Sequence, residues 1–275
     1  MIRLELPDVM LCAVTGVAQD ETVAALRECT RRVAFGDAVL LSQFKPPSLA
    51  DEAFRWEQIE PIISKEQYSH FICGRLSGFV TRPHVLLVQW DGFVIDPERW
   101  DDAFLGYDYI GATWPQFDGV HSVGNGGFSL RSKRLLEAVA ADFEPAHPED
   151  TAICRDWRER LESTHGIRFA PPEVAERFAR ERHKGGGPTF GFHGLFLLPG
   201  VMPSAALDGL LTSLDASLLA SRDAEDLLLE LARRRRCSLA AALFLKRVRR
   251  AGMTRRSMTL FFRLLLIAII GRGPG

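Results

Sequence analysis

The apolar positions in the first part of the chain predict alternating strands and helices. Residues 9–14 form a short apolar run closed by Thr15 and Gly16, which predicts a buried strand. Residues 21–33 carry apolar side chains on one helical face, and residues 37–43 form a second apolar run. This β-α-β order within about 35 residues predicts a parallel sheet with crossover helices.

The next pair of predicted elements brings a carboxylate to the end of a strand. Residues 65–79 are predicted to form a helix, and residues 84–89 give the clearest strand pattern of the sequence. That strand is followed by Asp91 and Gly92. In open α/β sheets, ligands bind at the carboxyl ends of the strands, so Asp91 is a candidate binding residue.

The sequence after residue 120 contains a cluster of glycines, a pair of carboxylates and a second glycine-rich segment. Three glycines fall within residues 124–127, ahead of a short strand pattern. Ser132 is a suitable N-cap for a predicted helix over residues 132–141. Glu149 and Asp150 lie in the first turn of another predicted helix, where the helix dipole favours negative charge. Residues 183–191 are glycine-rich, and we expect a mobile loop there that ends near His193.

Beyond Pro203 the sequence becomes helical and basic. Residues 207–236 are predicted to be helical, and residues 257–270 are almost wholly apolar but shorter than the roughly 20 residues that a membrane span takes. Residues 231–275 contain twelve Lys and Arg and no acidic residue, whereas residues 1–230 carry a net charge of −13. We therefore divide the chain into a domain over residues 1–203 and a basic amphipathic extension over residues 204–275.

Three roles for residues 231–275 remain open: arginines lying in solvent while the apolar helix covers a core, attachment to an anionic membrane surface, and contact with another protein. Nucleic acid is not an expected partner, because no aromatic residues interleave the arginines and no known binding module is present.

Overall composition is that of an ordinary globular protein. The 275 residues are 47% hydrophobic and 25% charged, with a net charge of −1. The five cysteines have no C-x-x-C spacing, which favours free thiols in a reducing compartment over a zinc or redox site. No secretory signal pattern opens the sequence, so we expect a cytoplasmic location, with attachment to the inner face of the membrane as the further possibility raised by the tail.

Four polar clusters are candidates for chemistry, although each has an ordinary structural explanation. Asp91 could cap a turn, the glycines could form a tight hairpin, the two carboxylates could begin a helix, and His193 could be a core residue. The order of these four clusters along the chain, however, matches the groups that sugar transfer requires. Sugar transfer from a nucleoside diphosphate needs neutralisation of the diphosphate, close backbone approach to the sugar and a carboxylate near the acceptor hydroxyl.

The sequence resembles a family of unknown function that is regarded as glycosyltransferase-like. The resemblance covers about residues 9–200. It is carried by residues 84–96 (HVLLVQWDGFVID), 107–114 (YDYIGATW), 123–132 (VGNGGFSLRS), 148–150 (PED) and 190–194 (FGFHG).

A looser similarity links the chain to GT-A galactosyltransferases and fringe-like enzymes. It implies that Asp91 corresponds to the last Asp of the D-x-D sequence that binds metal and diphosphate, and that His193 completes the metal shell. It also implies that Asp150, beside Glu149, is the catalytic base. The implied donor-binding residues are Thr15, Gln89, Asp91, Gly92, Asn125, Gly126, Gly127 and Arg131.

Gln89 departs from this pattern, because it occupies the position of the first Asp of D-x-D. A neutral amide oxygen is a weaker ligand for a hard cation than a carboxylate is. Two alternatives follow: Mn²⁺ or Mg²⁺ held by Asp91, His193 and the diphosphate, or no metal, with Arg131 neutralising the phosphates.

These observations predict a GT-A-like α/β domain with a mixed, mostly parallel central sheet and a helical C-terminal extension. The predicted function is transfer of a sugar from a nucleoside-diphosphate sugar to a hydroxyl of a glycan or glycolipid. Two alternatives stay open: a non-catalytic domain of the same fold that binds nucleotide sugars or glycans, and a nucleotidyltransferase. Gln89 disfavours the second, which usually needs two metal-binding carboxylates.

Overall fold

The structure is a computed structural model that describes residues 3–49, 54–182 and 187–270. The chain forms two compact units, Met1–His193 and Gly194–Gly275. The boundary that we expected between residues 203 and 204 stays a prediction. Of the glycine-rich loop predicted over residues 183–191, the part over residues 183–186 lies outside the described residues.

The first unit is built on two sheets. The main sheet has the order β3-β2-β1-β4-β7-β6, in which β3, β2, β1 and β4 are parallel and β7 is antiparallel to both neighbours. The smaller sheet has the order β5-β9-β8. The strands are β1 (Leu4–Thr15), β2 (Val33–Ser42), β3 (Arg55–Gln58), β4 (His84–Val88), β5 (Gly92–Val94), β6 (Tyr109–Ile110), β7 (Phe128–Ser132), β8 (Ala179–Arg180) and β9 (Gly191–His193).

Helices connect and cover these strands and make up most of the second unit. In the first unit they are α1 (Gln19–Arg32), α2 (Lys65–Gly74), α3 (Lys133–Asp142), α4 (Glu149–Thr151), α5 (Arg158–His165) and α6 (Pro172–Phe178). In the second unit they are α7 (Leu198–Val201), α8 (Ser204–Ser213), α9 (Arg222–Arg233), α10 (Cys237–Ala251) and α11 (Arg255–Ile270). The expected fold class, α/β with a mixed, mostly parallel sheet and a helical C-terminal extension, is confirmed.

Local sequence accounts for most of these boundaries. Ser132 caps α3, its hydroxyl accepting a hydrogen bond from the Leu135 amide at 3.1 Å, as predicted. Ser64 caps α2 in the same way. The sheet is buried on both sides. On one face, alternate residues of β1, β2 and β4 pack against α2, and residues of α3 and α5 form a second core around Tyr109. The intervening residues of the same three strands, such as Leu11, Leu40 and Leu86, are buried on the opposite face.

The predicted helical stretch near the C-terminus consists of two helices in the structure. Residues 207–236 are divided by a non-helical segment between α8 and α9, with only a short 3-10 turn at Leu218–Ala220. Asp215 accepts hydrogen bonds from the backbone amide and hydroxyl of Ser217, and Ser221 caps α9 through the Ala224 amide. These short polar side chains compete with helical hydrogen bonding and so start a new helix.

In the second unit, leucines of α9 form the centre of the core. Leu227, Leu228, Leu229 and Leu231 are buried, and α10 and α11 pack on this helix. Within the described residues, no helix is long and apolar enough to cross a membrane.

Candidate functional site

The sheet topology gathers the predicted residues at one edge. Val88, the last residue of β4, pairs with Ala13 of the parallel strand β1 and with Phe128, the first residue of the antiparallel strand β7. The segment that follows β4 and the glycine loop that precedes β7 therefore meet at the carboxyl edge of the parallel strands. This is the edge at which α/β sheets bind ligands.

The small sheet brings His193 to Asp91. Gly92 at the start of β5 lies opposite His193 at the end of β9. The Nε2 atom of His193 is 3.3 Å from Oδ1 of Asp91, and its Nδ1 atom is 3.6 Å from Oε1 of Glu181. Residues 91 and 193 are far apart in sequence, and only this β5–β9 pairing places their side chains in contact.

The surroundings of His193 strongly favour its charged form. Burial by itself lowers the pKa of this imidazole, but the carboxylates of Asp91 and Glu181 outweigh burial and hold the pKa well above its ordinary value. The two carboxylates therefore stabilise a proton on the ring, and a metal ion bound by His193 would have to displace that proton.

The glycine loop is held in a single conformation by Asn125. This residue has a φ of 61°, in the left-handed region that Asn tolerates better than most residues. Its Oδ1 accepts a hydrogen bond from the Gly127 amide at 3.1 Å, and its Nδ2 lies 3.2 Å from Nδ1 of His193. The Gly127 carbonyl in turn accepts a hydrogen bond from the Gln89 amide at 2.9 Å. Asn125 thus connects the loop to His193, and Gly127 connects it to the end of β4.

Gly127 also provides the space that His193 occupies. A Cβ atom added at Gly127 would lie 2.1 Å from Nε2 of His193 and 2.3 Å from its Cδ2. The imidazole therefore packs directly on the backbone of the loop, an approach that only glycine allows.

Gly127→Ala is expected to displace the His193 ring from Asp91, because no real Cβ contact is that short. We expect any stabilisation of the protein by Mn²⁺ with a nucleoside diphosphate to fall by at least half in a thermal-shift measurement. Gly78→Ala is the matched control, since an added Cβ there has no heavy atom within 4 Å. An unchanged response of Gly127→Ala would contradict this placement of His193 in the binding site.

The carboxylate pair lies on the other side of the loop. Asp150 is partly exposed, and its Oδ2 accepts a hydrogen bond from the Gly126 amide at 3.0 Å. Glu149 is buried, and a Cβ added at Gly126 would lie 2.3 Å from its Oε1. Both residues begin α4, as predicted, and the chain continues from Thr151 into a π-helical turn at Ala152–Asp156.

Glu149 belongs to a buried polar network beneath the loop. Its Oε1 accepts a hydrogen bond from Nη2 of Arg131 at 3.1 Å, and its Oε2 accepts one from the Ser69 hydroxyl at 3.3 Å. The Ser69 hydroxyl is also 2.8 Å from Nδ1 of His147. Burial raises the pKa of Glu149 above its ordinary value, although the ion pair with Arg131 opposes that rise.

Arg131 is fully buried in β7, with an exposed fraction of 0%. Its Nε donates to the Ser129 hydroxyl at 3.0 Å, and its guanidinium lies 5.0 Å from the centre of the Tyr109 ring. In this position the guanidinium is shielded from a ligand by the loop and faces Glu149. The geometry favours a role in positioning Glu149, and the suggested contact of Arg131 with phosphates stays an untested prediction.

The remaining predicted residues line the same edge in different ways. Thr15 ends β1, and its hydroxyl hydrogen-bonds to the Val17 carbonyl. Gln89 and Gly92 contribute through the backbone, the Gly92 amide donating to the Gln89 carbonyl at 3.1 Å. Phe93 is buried against Phe192 and so belongs to the core rather than to the polar cluster.

Two residues of the network escaped sequence reasoning. Glu181 directly follows β8, and β8 pairs with β9, so the small sheet carries Glu181 to His193. Ser69 lies within α2 and reaches Glu149 from a distant part of the chain. Neither residue has a local pattern that distinguishes it from an ordinary surface Glu or helical Ser, so the sequence offered no signal for either.

A divalent metal would find two protein ligands here. Among the residues that the structure describes, no group of three or more His, Cys, Asp or Glu is arranged to hold a metal ion. The Asp91 carboxylate and the His193 imidazole do converge at 3.3 Å, and both side chains are largely buried. Such a pair suits a metal that takes its other ligands from a substrate diphosphate and water, as Mg²⁺ commonly does.

An open cavity of about 830 Å³ lies elsewhere on the first unit. None of the predicted site residues lines it, so the concave surface and the polar cluster do not coincide. Its wall includes Trp100, Thr113 and Arg180, and Arg180 precedes Glu181, the partner of His193. The cavity wall and the polar cluster around His193 are therefore adjacent in sequence at Arg180 and Glu181.

Comparisons with known proteins agree with the family resemblance. A model of a family described as a protein of unknown function, DUF5672, matches residues 54–193. No curated protein matches the chain.

Two solved structures resemble it at low identity. The mannosyltransferase PcManGT from Pyrobaculum calidifontis, in complex with GDP-Man and Mn²⁺, has a TM-score of 0.43 and 11% identity, covering 97% of this chain and 83% of that chain. TarS 1–349 from S. aureus has a TM-score of 0.39 and 10% identity, covering 96% of this chain and 91% of that chain. The family match spans just over half of the sequence, and the chain belongs to the DUF5672 family of proteins of unknown function.

Proposed function

We propose that the protein is a GT-A-type glycosyltransferase that transfers a sugar from a nucleoside diphosphate to a hydroxyl group. The observation that carries this proposal is the convergence of Asp91, His193, the glycine loop and Asp150 at the carboxyl edge of the sheet. A donor bound along that edge would meet ligands for its diphosphate on one side of the loop and a carboxylate on the other.

The proposed roles follow from the two sides of the loop. Asp91 and His193 lie beside Gly127, whose missing side chain leaves room for the His193 ring, and we propose that they bind the diphosphate through a metal ion. Asp150 is our candidate base, because it is the more exposed carboxylate of the pair and is oriented by the Gly126 amide. Glu149, held by Arg131 and Ser69, is proposed to fix the start of α4 and thereby the position of Asp150.

Asp91 and His193 are the proposed metal-binding residues. Mn²⁺ or Mg²⁺ bound there would neutralise the charge that develops on the departing diphosphate. Glu181 is proposed to orient the ring of His193 from the Nδ1 side, as carboxylates beside metal-binding histidines do.

The proposed acceptor is a glycan or glycolipid, such as a precursor of a cell-surface polysaccharide. The cavity beside Arg180 is a suitable entrance for it, because its wall combines the indole of Trp100 with carboxylates that can accept hydrogen bonds from sugar hydroxyls. The proposed location of the protein is the cytoplasmic face of a membrane.

A binding domain without catalytic activity is the competing function. Gln89 supports it, because the amide removes one of the two carboxylates of a D-x-D pair. Such a domain would bind the nucleotide sugar and release no nucleotide from it.

A thermal-shift panel with UDP, GDP, CMP and dTDP, each with Mn²⁺ and with EDTA, tests the proposal. Ligand at about 100 times its Kd stabilises a protein by roughly 2.7 kcal/mol, which corresponds to a rise in Tm of about 5 °C or more. We expect one diphosphate to give this shift and EDTA to remove it. A shift that survives EDTA would indicate a metal-free site, and no shift with any nucleotide would contradict the proposed function.

A further inference from the structure

The last helix of the second unit has two apolar faces, and the described part of the chain buries one of them. On its inner face, Ser257 and Leu260 of α11 are buried, and the helix packs on α9 and α10. A helix that needed only to complete this core would present polar residues on its outer side.

The outer face of α11 is instead a continuous apolar stripe. Its members recur at intervals of three and four residues, the spacing that places side chains on one side of a helix. Each of them is at least 44% exposed within the described part of the chain. The stripe consists of Met258, Phe261, Phe262, Leu265, Leu266 and Ile269. Exposed apolar surface of this extent marks an interaction site.

The charged side chains of α11 are all positive. Arg255 and Arg263 lie on α11 itself, and Arg249 lies near the end of α10. All three are exposed and form no ion pair within the described residues. Glu225 of α9, which pairs with Arg256 of α11, is also engaged by Arg247.

We propose that α11 binds the surface of an anionic phospholipid bilayer, with the stripe inserted among the acyl chains and the arginines beside lipid phosphates. An apolar face bordered only by basic side chains suits this environment. A second copy of the chain fits it less well, because pairing the stripes would bring the same arginines together.

The length of α11 determines its orientation relative to the membrane. Its 16 residues span about 24 Å, less than the roughly 30 Å hydrocarbon core of a bilayer. One of its faces is also committed to α9 and α10. The helix therefore lies in the plane of the interface, and the stripe alone enters the membrane.

Flotation of the full-length protein with vesicles tests this surface independently of any sugar transfer. We compare vesicles of phosphatidylcholine alone with vesicles that also contain phosphatidylglycerol. We expect binding to the anionic vesicles, and roughly 100-fold weaker partition after combined replacement of Arg249, Arg255 and Arg263 by Gln, at about 1 kcal/mol for each charge.

The combined variant Phe262→Gln, Leu266→Gln and Ile269→Gln removes the most exposed part of the stripe and should also lose about 100-fold in partition. Its control is Phe44→Gln with Ile63→Gln, which removes exposed apolar side chains of the first unit and should bind as the unchanged protein does. Circular dichroism and light scattering on each variant report folding and mass.

Three results would overturn the proposal: no binding of the unchanged protein to anionic vesicles, equal binding by the stripe variant, or a dimer in solution that only the stripe variant dissociates. The last would make the stripe a contact between copies. None of these results affects the thermal-shift measurement with nucleotides, so membrane binding and sugar transfer are tested independently.

Discussion

Asp150→Asn is expected to reduce sugar transfer by about 10²- to 10⁴-fold while nucleotide binding is retained. Positioned acid–base catalysis contributes a factor of that size, and the amide cannot take a proton from an acceptor hydroxyl. The side-chain oxygen of Asn can still accept the hydrogen bond from the Gly126 amide, so the loop should keep its conformation. Release of nucleotide from UDP- and GDP-hexoses measures transfer or slow hydrolysis, and the thermal shift measures binding.

The matched control is Asp156→Asn, an exposed carboxylate in the π-helical turn that follows α4. It carries the same change of charge on the same helical segment, and we expect activity within about twofold of the unchanged protein. Full activity in Asp150→Asn would remove Asp150 from the role of base, and loss of nucleotide binding in that variant would indicate a donor-binding role instead.

Arg131→Met is expected to destabilise the protein by about 3–5 kcal/mol. The substitution leaves the carboxylate of Glu149 buried without its cation, and an uncompensated buried charge costs that much. For a chain of this size the loss corresponds to a fall in Tm of roughly 10 °C, which calorimetry would resolve. Glu149→Gln in the same chain should recover much of the loss, because the unpaired charge disappears.

Arg31→Met provides the comparison for an exposed ion pair. Arg31 contacts Glu28 at 2.8 Å with 61% of its side chain exposed, and such pairs contribute at most about 1 kcal/mol. If Arg131→Met were no more destabilising than Arg31→Met, Arg131 would not be the group that stabilises Glu149 beneath the loop. Its suggested contact with a donor phosphate would then become the more attractive explanation for a buried arginine at this position.

Patterns that extend over a few residues were sufficient to predict the main strands and a helix boundary. The runs over residues 9–14, 37–43 and 84–89 form strands of the parallel sheet, because continuous apolar segments are buried on both faces. Ser132 was recognised as an N-cap because capping depends on a side chain and an amide three residues apart. Ser217 and Ser221 carry the same kind of local signal, and they mark the break in the helical stretch predicted over residues 207–236.

The sequence by itself thus determined the fold class, the family and the residue types available for chemistry. The fold class follows from apolar periodicity and capping, which are properties of neighbouring residues, and the family resemblance is carried by longer motifs such as residues 84–96 and 123–132. Tertiary structure decided which of these residues meet. His193 contacts Asp91 through the pairing of β5 with β9, Glu181 arrives through β8, and Arg131 turns inward to Glu149 beneath the loop. It also decided that the described residues leave the outer face of α11 exposed, because periodicity can show that a helix is apolar but cannot say which apolar face finds a partner within the chain.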